Sequence, residues 1–321
     1  MSAAGQPVNS ILIVRLGAMG DIIHTLPAAA SLRASFPSAR IAWVVEPRWA
    51  PLLEENASLD RVIAFQRDGG GFRESVRRLR AEHYDVALDF QGLIKSAVVA
   101  RLARASRVLG YGRGVAREGA ATLLYSRTIG TQSAHVVDMR LDLAAAAGAR
   151  DLVRAFPLPE GHPEGELPKG DFVLASPMAG WRSKQWPIEY YSAILERLRN
   201  ELGMALVLNG PPSAEAALRG VPGAWAHVSG IPGLIHATRR ATAVIGVDSG
   251  PLHLAAAMHK PGVAIFGPTD PVRNGPYCDS LQVLRAPDAP TTYKRGVEID
   301  LSMRQVLPDL VFDALKAACL A

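Results

Sequence analysis

Short apolar segments recur along the 321 residues, and most of them show no alternation with polar positions. Such segments are typical of strands that are buried on both faces of a parallel sheet. Eight strands are predicted, at residues 11–16, 41–45, 61–65, 85–90, 172–176, 205–209, 241–247 and 262–266. Apolar positions between them follow a helical period, most clearly at residues 21–36, 71–83, 92–104, 187–203 and 250–259. Strand and helix therefore alternate, which predicts an α/β protein with doubly wound parallel sheets.

A proline- and glycine-rich segment at residues 157–170 divides this pattern into two halves of similar size. The predicted domains are residues 1–157 and 158–303. Residues 302–320 are predicted to form a last helix, which Pro308 interrupts or delays.

Targeting signals are weak in this sequence. Residues 1–10 contain no Lys or Arg, unlike the basic start of a signal peptide, and no apolar run approaches the roughly 18 residues of a membrane span. Cys278 and Cys319 are the two cysteines, too few for a disulfide framework or a four-cysteine zinc site. We therefore expect a cytoplasmic protein.

The net charge of +5 lies entirely in the first half. Residues 1–157 contain 20 Lys and Arg against 14 Asp and Glu, whereas residues 158–321 contain 15 against 16. This excess indicates either an anionic partner, such as nucleic acid, phosphate or an anionic membrane surface, or a solvated arginine-rich surface. Aromatic residues are not interleaved in the most basic stretch, residues 67–127, which argues against nucleic acid.

Ligands in open α/β sheets bind beyond the carboxyl ends of the strands, so the residues after each strand are candidates for chemistry. Residues 17–21 follow the first strand with two glycines and Asp21 at a helix start. Asp21 is there either as an N-cap or as a general base, although a helix N-terminus weakens a carboxylate as a base. Lys95 follows the fourth strand at a predicted helix start. It is there either as an anion-binding residue or as a solvated lysine of the first turn.

In the second half, three loops carry groups that suit a phosphate. Lys184 lies in the loop at 176–187, and Asp248-Ser249-Gly250 leads from a buried strand into a helix that has Pro251 in its first turn. Thr269 follows the next strand. After the strand at 205–209, Glu215 is either a ribose-binding residue or an ordinary first-turn glutamate.

Patterns for metal-dependent or covalent chemistry are weak. The chain has no Asp-x-Asp motif, and His253 has no Cys or carboxylate partner at a ligand spacing, which favours a structural histidine. No Gly-x-Ser-x-Gly elbow supports a hydrolase triad.

Taken together, these segments resemble the lipopolysaccharide heptosyltransferases of glycosyltransferase family 9. The similarity covers most of the chain, and its segments are residues 17–27, 89–97, 116–127, 184–187 and 247–271. Residues 89–97 and 116–127 are similar to heptosyltransferase I in particular. The loop at 177–180, Pro-Met-Ala-Gly, instead lacks the threonine pair of that subtype and is closer to heptosyltransferase II, so backbone N–H groups would replace the hydroxyls.

The resemblance implies a GT-B fold, with two Rossmann-like domains facing across a cleft. The first domain would bind the acceptor and the second the donor, and residues 304–321 would pack back on the first domain. The implied reaction is an inverting, metal-independent transfer of heptose from ADP-L-glycero-β-D-manno-heptose to the Kdo of the lipid A inner core. No cofactor is expected. A lipid acceptor and a basic first half point to peripheral contact with the inner face of the cytoplasmic membrane.

The resemblance also implies roles for individual residues. Asp21 would be the catalytic base, and Lys184 would neutralise the diphosphate. Donor binding is expected at Ala179, Gly180, Lys184, Glu215, Asp248, Ser249, Gly250, His253 and Thr269. Acceptor binding is expected at Gly17, Met19, Gly20, Arg73, Lys95 and Arg117.

Three alternatives stay open at this point. The chain could use another sugar donor or acceptor within family 9, including those of heptosyltransferase II. It could be a nucleotide-sugar epimerase on the same fold class, or a non-catalytic protein that binds a sugar nucleotide.

Overall fold

The structure is a computed structural model that describes residues 8–320. It divides into two α/β units between Pro159 and Glu160, two residues beyond the predicted boundary. Most of the segment considered for a signal peptide, residues 1–7, lies outside the described residues. No helix within the described range is long and apolar enough to cross a membrane.

The first unit contains one six-stranded sheet, in which every described pairing is parallel. The strands are β1 (Ser10–Val14), β2 (Arg40–Val45), β3 (Arg61–Ala64), β4 (Val86–Asp89), β5 (Arg107–Tyr111) and β6 (Arg127–Ile129). The helices are α1 (Met19–Ile23), α2 (Leu26–Ser35), α3 (Gly71–Leu79), α4 (Ile94–Leu102) and α5 (Val136–Ala146). The strand order is β3-β2-β1-β4-β5-β6, so the chain reverses direction across the sheet between β1 and β4.

The second unit repeats this plan, with the parallel strand order β12-β11-β10-β7-β8-β9. Its strands are β7 (Phe172–Ser176), β8 (Ala205–Gly210), β9 (Trp225–Val228), β10 (Ala243–Val247), β11 (Gly262–Phe266) and β12 (Leu281–Arg285). Its helices are α6 (Tyr190–Arg197), α7 (Glu215–Leu218), α8 (Ile231–Arg240), α9 (Gly250–Ala257), α10 (Pro271–Asn274), α11 (Leu301–Gln305) and α12 (Pro308–Leu320).

The predicted fold class is confirmed, because each unit is a Rossmann-like parallel sheet. Its central strands are fully buried runs, as β7, β10 and β11 show, so these strands were readable as uninterrupted apolar segments. One predicted helix, residues 21–36, is instead two, because Pro27 opens the new helix α2.

Four strands carry too weak a signal to be predicted: β5, β6, β9 and β12. Three of them lie at the edges of the two sheets, where one face meets solvent and the apolar run is short. The remaining strand, β5, is the neighbour of an edge strand and begins with an exposed arginine.

The last helix clusters with the second unit, and the packing of residues 304–321 on the first domain stays a prediction. Helix α12 lies against α6, β10 and β11. Its buried side chains, including Val311, Phe312 and Leu315, are part of the second unit's apolar core. The sequence shows that this helix has an apolar face, but it does not show which core the face covers.

Strand register brings the candidate loops of each unit to one sheet edge. In the first unit, Val14 at the end of β1 lies beside Asp89 at the end of β4. In the second, Ser176 pairs with Gly246 and Val247 with Ile265, so β7, β10 and β11 end at the same level. The loops that follow these strands therefore start side by side.

Candidate active site

Asp21 lies in the first turn of α1, and three arginines converge on its carboxylate. Arg15, the residue after β1, forms a close ion pair with Oδ2 of Asp21. The guanidinium of Arg117 is 3.5 Å from Oδ2, and that of Arg140, on α5, is 3.8 Å from Oδ1. The side chain of Arg15 is fully buried, and that of Asp21 is 19% exposed. A carboxylate that solvent can reach is thus held by fixed cations.

These arginines control the charge of Asp21. Burial alone would raise its pKa, but Arg15, Arg117 and Arg140 outweigh burial and hold the pKa well below its usual range. Burial also lowers the pKa of Arg15, to about 10, against the opposing effect of Asp21. Asp21 is therefore ionised at neutral pH but has a weak affinity for a proton. The cap interpretation is not favoured, because Ala18 occupies the N-cap position of α1.

Hydrogen bonds within the first unit fix the two buried arginines. Arg15 Nη1 donates to the carbonyl oxygen of Phe90 at 2.8 Å. Arg140 Nη1 donates to the hydroxyl of Tyr111 at 3.0 Å. Sequence reasoning missed both arginines. Arg15 lies within the apolar segment at 11–16 that predicts a strand, and a lone charge in such a segment is the signal that could have revealed it. Arg140 lies in a segment for which no element was predicted, and Asp138 and Asp142 flank it, so it is not a lone charge.

A second charged cluster surrounds Glu46, which follows β2. Its carboxylate accepts from Arg48 and Arg67 at 3.0 Å, and Nζ of Lys95 is 4.0 Å away. Burial and the nearby Arg67 lower the pKa of Lys95. Lys95 therefore lies in a basic environment at the sheet edge, where an anion would find three cations and one carboxylate.

The other predicted acceptor residues occupy different surroundings. Met19 and Gly20 are buried in the first turn of α1. At Gly17, an added Cβ would lie 2.9 Å from the indole nitrogen of Trp49, so the loop approaches this ring closely. Arg73 is exposed on α3, and the structure gives it no ion pair within residues 8–320.

In the second unit, the three predicted phosphate loops meet. Lys184 Nζ donates to Asp248 Oδ2 at 2.6 Å, and the hydroxyl of Thr269 donates to the same oxygen at 2.7 Å. Nε2 of His253 is 3.6 Å from Oδ1, so this histidine does have the carboxylate partner that its sequence spacing did not reveal. Four predicted donor residues therefore form one cluster.

Asp248 is the charged centre of this cluster. Burial would raise its pKa, but the hydrogen bond from His253 and the charge of Lys184 hold it well below its usual range. The side chain of Lys184 is 16% exposed, whereas that of Asp248 is 8% exposed. The ammonium is thus oriented by a buried carboxylate while one side stays open to a ligand.

Helix α9 begins two residues after Asp248. Ser249 is the N-cap residue, yet its hydroxyl makes no cap bond and is a buried oxygen with no hydrogen-bond partner among the described residues. Gly250 and Pro251 form the first turn, where backbone N–H groups have no partner within the helix. An eight-residue helix with a free hydroxyl at its start suits an anionic ligand.

Three further donor predictions are placed less centrally. The carbonyl oxygen of Ala179 accepts from Gln185 at 3.4 Å, and a Cβ at Gly180 would meet nothing within 4 Å. Both residues belong to the loop that carries Lys184. Glu215 pairs with Arg219, one turn along the same segment, at 2.8 Å. That ion pair is exposed, and both contacts from Arg219 end on Oε1 of Glu215.

Sequence reasoning also missed the aromatic ring beside Lys184. Nζ of Lys184 lies 4.3 Å from the ring centroid of Trp181, and the guanidinium of Arg295 lies 5.7 Å from it. Both distances are within the range of a cation–π interaction. No three His, Cys, Asp or Glu side chains within the described part of the chain form a metal-ligand group.

Comparisons with known proteins agree with the geometry. The family model described as glycosyltransferase family 9 (heptosyltransferase) matches residues 72–298. The chain is 32% identical to lipopolysaccharide heptosyltransferase 1 of Escherichia coli K12, over 86% of this chain and 93% of that protein. It is 31% identical to the protein of the same name from Pseudomonas aeruginosa, over 83% of this chain and 81% of that protein.

Solved structures give the same result. The E. coli heptosyltransferase WaaC with ADP matches with a TM-score of 0.78 and 26% identity, over 96% of this chain and 99% of that one. The family model matches well over half of the residues, and the matches cover 81%, 93% and 99% of these relatives' own lengths. The chain therefore belongs to glycosyltransferase family 9, the heptosyltransferases.

Proposed function

We propose that this chain transfers heptose from ADP-heptose to the Kdo of the lipid A inner core. The observation that carries the proposal is the pair formed by Lys184 and Asp248 at the start of α9, in a chain that belongs to the heptosyltransferase family. Relatives in the solved structures are described with ADP and with ADP-2-deoxy-2-fluoro heptose, which supports the same donor here.

In this proposal the donor diphosphate binds at the cluster of Lys184 and Asp248 in the second unit. Lys184 contributes a positive charge that Asp248 and Thr269 hold in place. The hydroxyl of Ser249 and the first N–H groups of α9 then donate hydrogen bonds to the remaining phosphate oxygens. As ADP leaves, its negative charge grows, and fixed cations at that position lower the barrier without a metal ion.

The acceptor reacts by a single displacement. Its hydroxyl oxygen forms a bond to the anomeric carbon while the bond from that carbon to the ADP oxygen breaks, and the bonding electrons leave with ADP. Asp21 accepts the hydroxyl proton. Attack opposite to the leaving group inverts the anomeric centre. The ionised state of Asp21 and its partial exposure support this role.

Basic side chains around the first site suit an acceptor that carries carboxylates and phosphates. Arg117 and Lys95 are 60% and 40% exposed and lie at the edge where Asp21 is found. We therefore place the reaction at the inner face of the cytoplasmic membrane, with the first unit contacting the anionic lipid.

The test is a nucleotide-release assay with ADP-heptose in EDTA, with and without Kdo-bearing lipid A. We expect ADP release that depends on the acceptor and is retained in EDTA. The matched lysine control for Lys184→Ala is Lys169→Ala, at an exposed position outside the clusters around Asp21, Glu46 and Asp248.

Other results would select the alternatives. Conversion of the donor without any acceptor would indicate an epimerase. ADP-heptose binding by calorimetry with no release for any acceptor would indicate a binding protein. Release with a different acceptor would keep the enzyme class and contradict the Kdo assignment.

A further inference from the structure

Residues 286–300, which follow β12, lie across two loops of the candidate donor site. The backbone N–H of Thr292 donates to the carbonyl oxygen of Pro268, in the loop after β11, at 2.7 Å. Further along, the N–H of Asp300 donates to the carbonyl oxygen of Ser183, in the loop after β7, at 3.3 Å. The segment is thus attached at one end to the loop that carries the candidate threonine and at the other to the loop that carries the candidate lysine.

Arg295, between these two attachments, reaches the aromatic ring that also contacts Lys184. Its guanidinium lies 5.7 Å from the ring centroid of Trp181, and Nζ of Lys184 lies 4.3 Å from the same centroid. An added Cβ at Gly296 would lie 3.0 Å from Cβ of Ser183, so the backbone next to Arg295 packs closely on the loop of Lys184. Two cations are therefore held beside one indole ring.

The charge of Arg295 has no counter-ion in the part of the chain that the structure describes. Lys184 is paired with Asp248, at 2.6 Å. Arg295 forms no ion pair with an Asp or Glu among residues 8–320, although acidic residues outnumber basic ones in the second half of the chain. An aromatic face attracts a guanidinium without using its N–H donors, so these donors remain for an oxyanion.

We propose that Arg295 is a second cation of the donor site and binds the sugar-bearing phosphate of the donor diphosphate, beside Lys184. This inference rests on the proposed function, which supplies a nucleoside diphosphate sugar as the donor. Arg295 thereby makes the second phosphate a requirement for tight binding, and it determines specificity for a nucleoside diphosphate over a monophosphate.

The order of the strands supports the choice of phosphate. The proposed ribose contact, Glu215, follows β8, which lies on one side of β7 and β10. Strands β11 and β12 lie on the other side, and residues 286–300 start from there. A nucleotide with its ribose near Glu215 therefore extends its diphosphate away from β8 and toward this segment. Arg295 then meets the phosphate that is farther from the ribose.

A guanidinium suits this phosphate chemically. Its planar fork donates two N–H groups to two oxygens of one phosphate, whereas the ammonium of Lys184 acts as a point charge. When the bond between the sugar and the diphosphate breaks, negative charge develops on this phosphate, and its contact with Arg295 strengthens. A nucleoside monophosphate lacks the second phosphate and cannot use this contact.

Calorimetry of the full-length protein with ADP and with AMP tests the contact. We expect Arg295→Gln to raise the Kd of ADP about 10- to 100-fold, because a hydrogen bond to a charged group is lost, and to change the Kd of AMP little. Arg295→Lys keeps the charge but not the planar fork, so it should restore part of the ADP affinity. The matched control is Lys294→Gln, which removes the same charge from the neighbouring exposed position and should bind both nucleotides as the unmodified protein does.

A purely structural role, in which Arg295 only holds its segment against Trp181, would lower the melting temperature and affect ADP and AMP equally. Equal effects on the two nucleotides would therefore overturn the inference. An unchanged Kd of ADP in Arg295→Gln, an equal loss in Lys294→Gln, or no ADP binding by the unmodified protein would also overturn it.

Failure of this inference is distinguishable from failure of the proposed function. ADP binding that depends on Arg295, combined with no heptose transfer to Kdo-bearing lipid A, would support the second cation and refute the proposed function. Heptose transfer by the unmodified protein, combined with unchanged ADP binding by Arg295→Gln, would refute the second cation alone.

Discussion

Replacing Asp21 by Asn should destabilise the first unit as well as stop the reaction. The carboxylate is the closest counter-ion of Arg15, whose side chain is fully buried. It also faces Arg140, which is 8% exposed. An asparagine of the same size removes the negative charge and leaves these guanidinium groups uncompensated in a region of low dielectric constant.

The magnitude follows from this burial. Removing one partner of a buried ion pair costs about 3–5 kcal/mol. The amide oxygen of Asn still accepts one hydrogen bond, so we expect the lower end, about 3 kcal/mol. Removing both partners is far less costly, and the double variant Asp21→Asn with Arg15→Met should recover most of the lost stability.

Urea unfolding of the unmodified protein, the two single variants and the double variant measures these differences. The stabilising effect of Asp21 also has a defined pH dependence. Its pKa is lower in the folded protein than in the unfolded chain, where it is about 3.9, so its contribution is fully present above that value. The free energy of unfolding should thus differ between Asp21→Asn and the unmodified protein by a constant amount from about pH 5 to pH 8. This difference should shrink as the pH falls below about 4.

Equal stability of Asp21→Asn and the unmodified protein at pH 7 would refute this reasoning. So would a double variant that is less stable than either single variant. Either result would show that the stability of the fold does not depend on this carboxylate as a counter-ion for the three arginines.

The remaining predictions concern the second unit. Lys184→Ala should lower kcat about 100- to 1,000-fold in the ADP-release assay, because the charge on departing ADP loses its cation, and an equal kcat would reject that role. Thr269→Val removes a 2.7 Å hydrogen bond to Asp248 and should cost about 1–3 kcal/mol in urea unfolding, with weaker ADP-heptose binding by calorimetry. Gly262→Ala should prevent folding or lower the melting temperature strongly, because φ is +148° and a Cβ would lie 2.0 Å from a carbonyl oxygen. Gly180→Ala is the matched control, with open space around the Cβ, and should melt as the unmodified protein does.

Much of the donor site could be predicted from the sequence, because it depends on strand ends. The loops with Lys184, Asp248 and Thr269 each follow a buried apolar strand, and parallel strands end at one edge. Once the strands are recognised, their loops must lie close together. The N-terminal turn of α9 could equally be predicted, from the glycine and proline with which the helix begins.

The environment of Asp21 could not be predicted in the same way. Arg15, Arg117 and Arg140 are far apart in the sequence, and only tertiary packing brings them to one carboxylate. Edge strands such as β12 were missed because their exposed positions break the apolar run. The packing of α12 in the core of the second unit was not predicted, because an apolar helix face fits more than one core.

The central claim is that this chain attaches heptose to Kdo with Asp21 as the base and Lys184 as the leaving-group cation. Mass spectrometry and NMR of the acceptor after incubation with ADP-heptose in EDTA test it most directly. We predict one added heptose, bonded to Kdo with inverted anomeric configuration, and no product from the folded Asp21→Asn or Lys184→Ala proteins. An unmodified acceptor, or full product from the Asp21→Asn protein, would contradict the account.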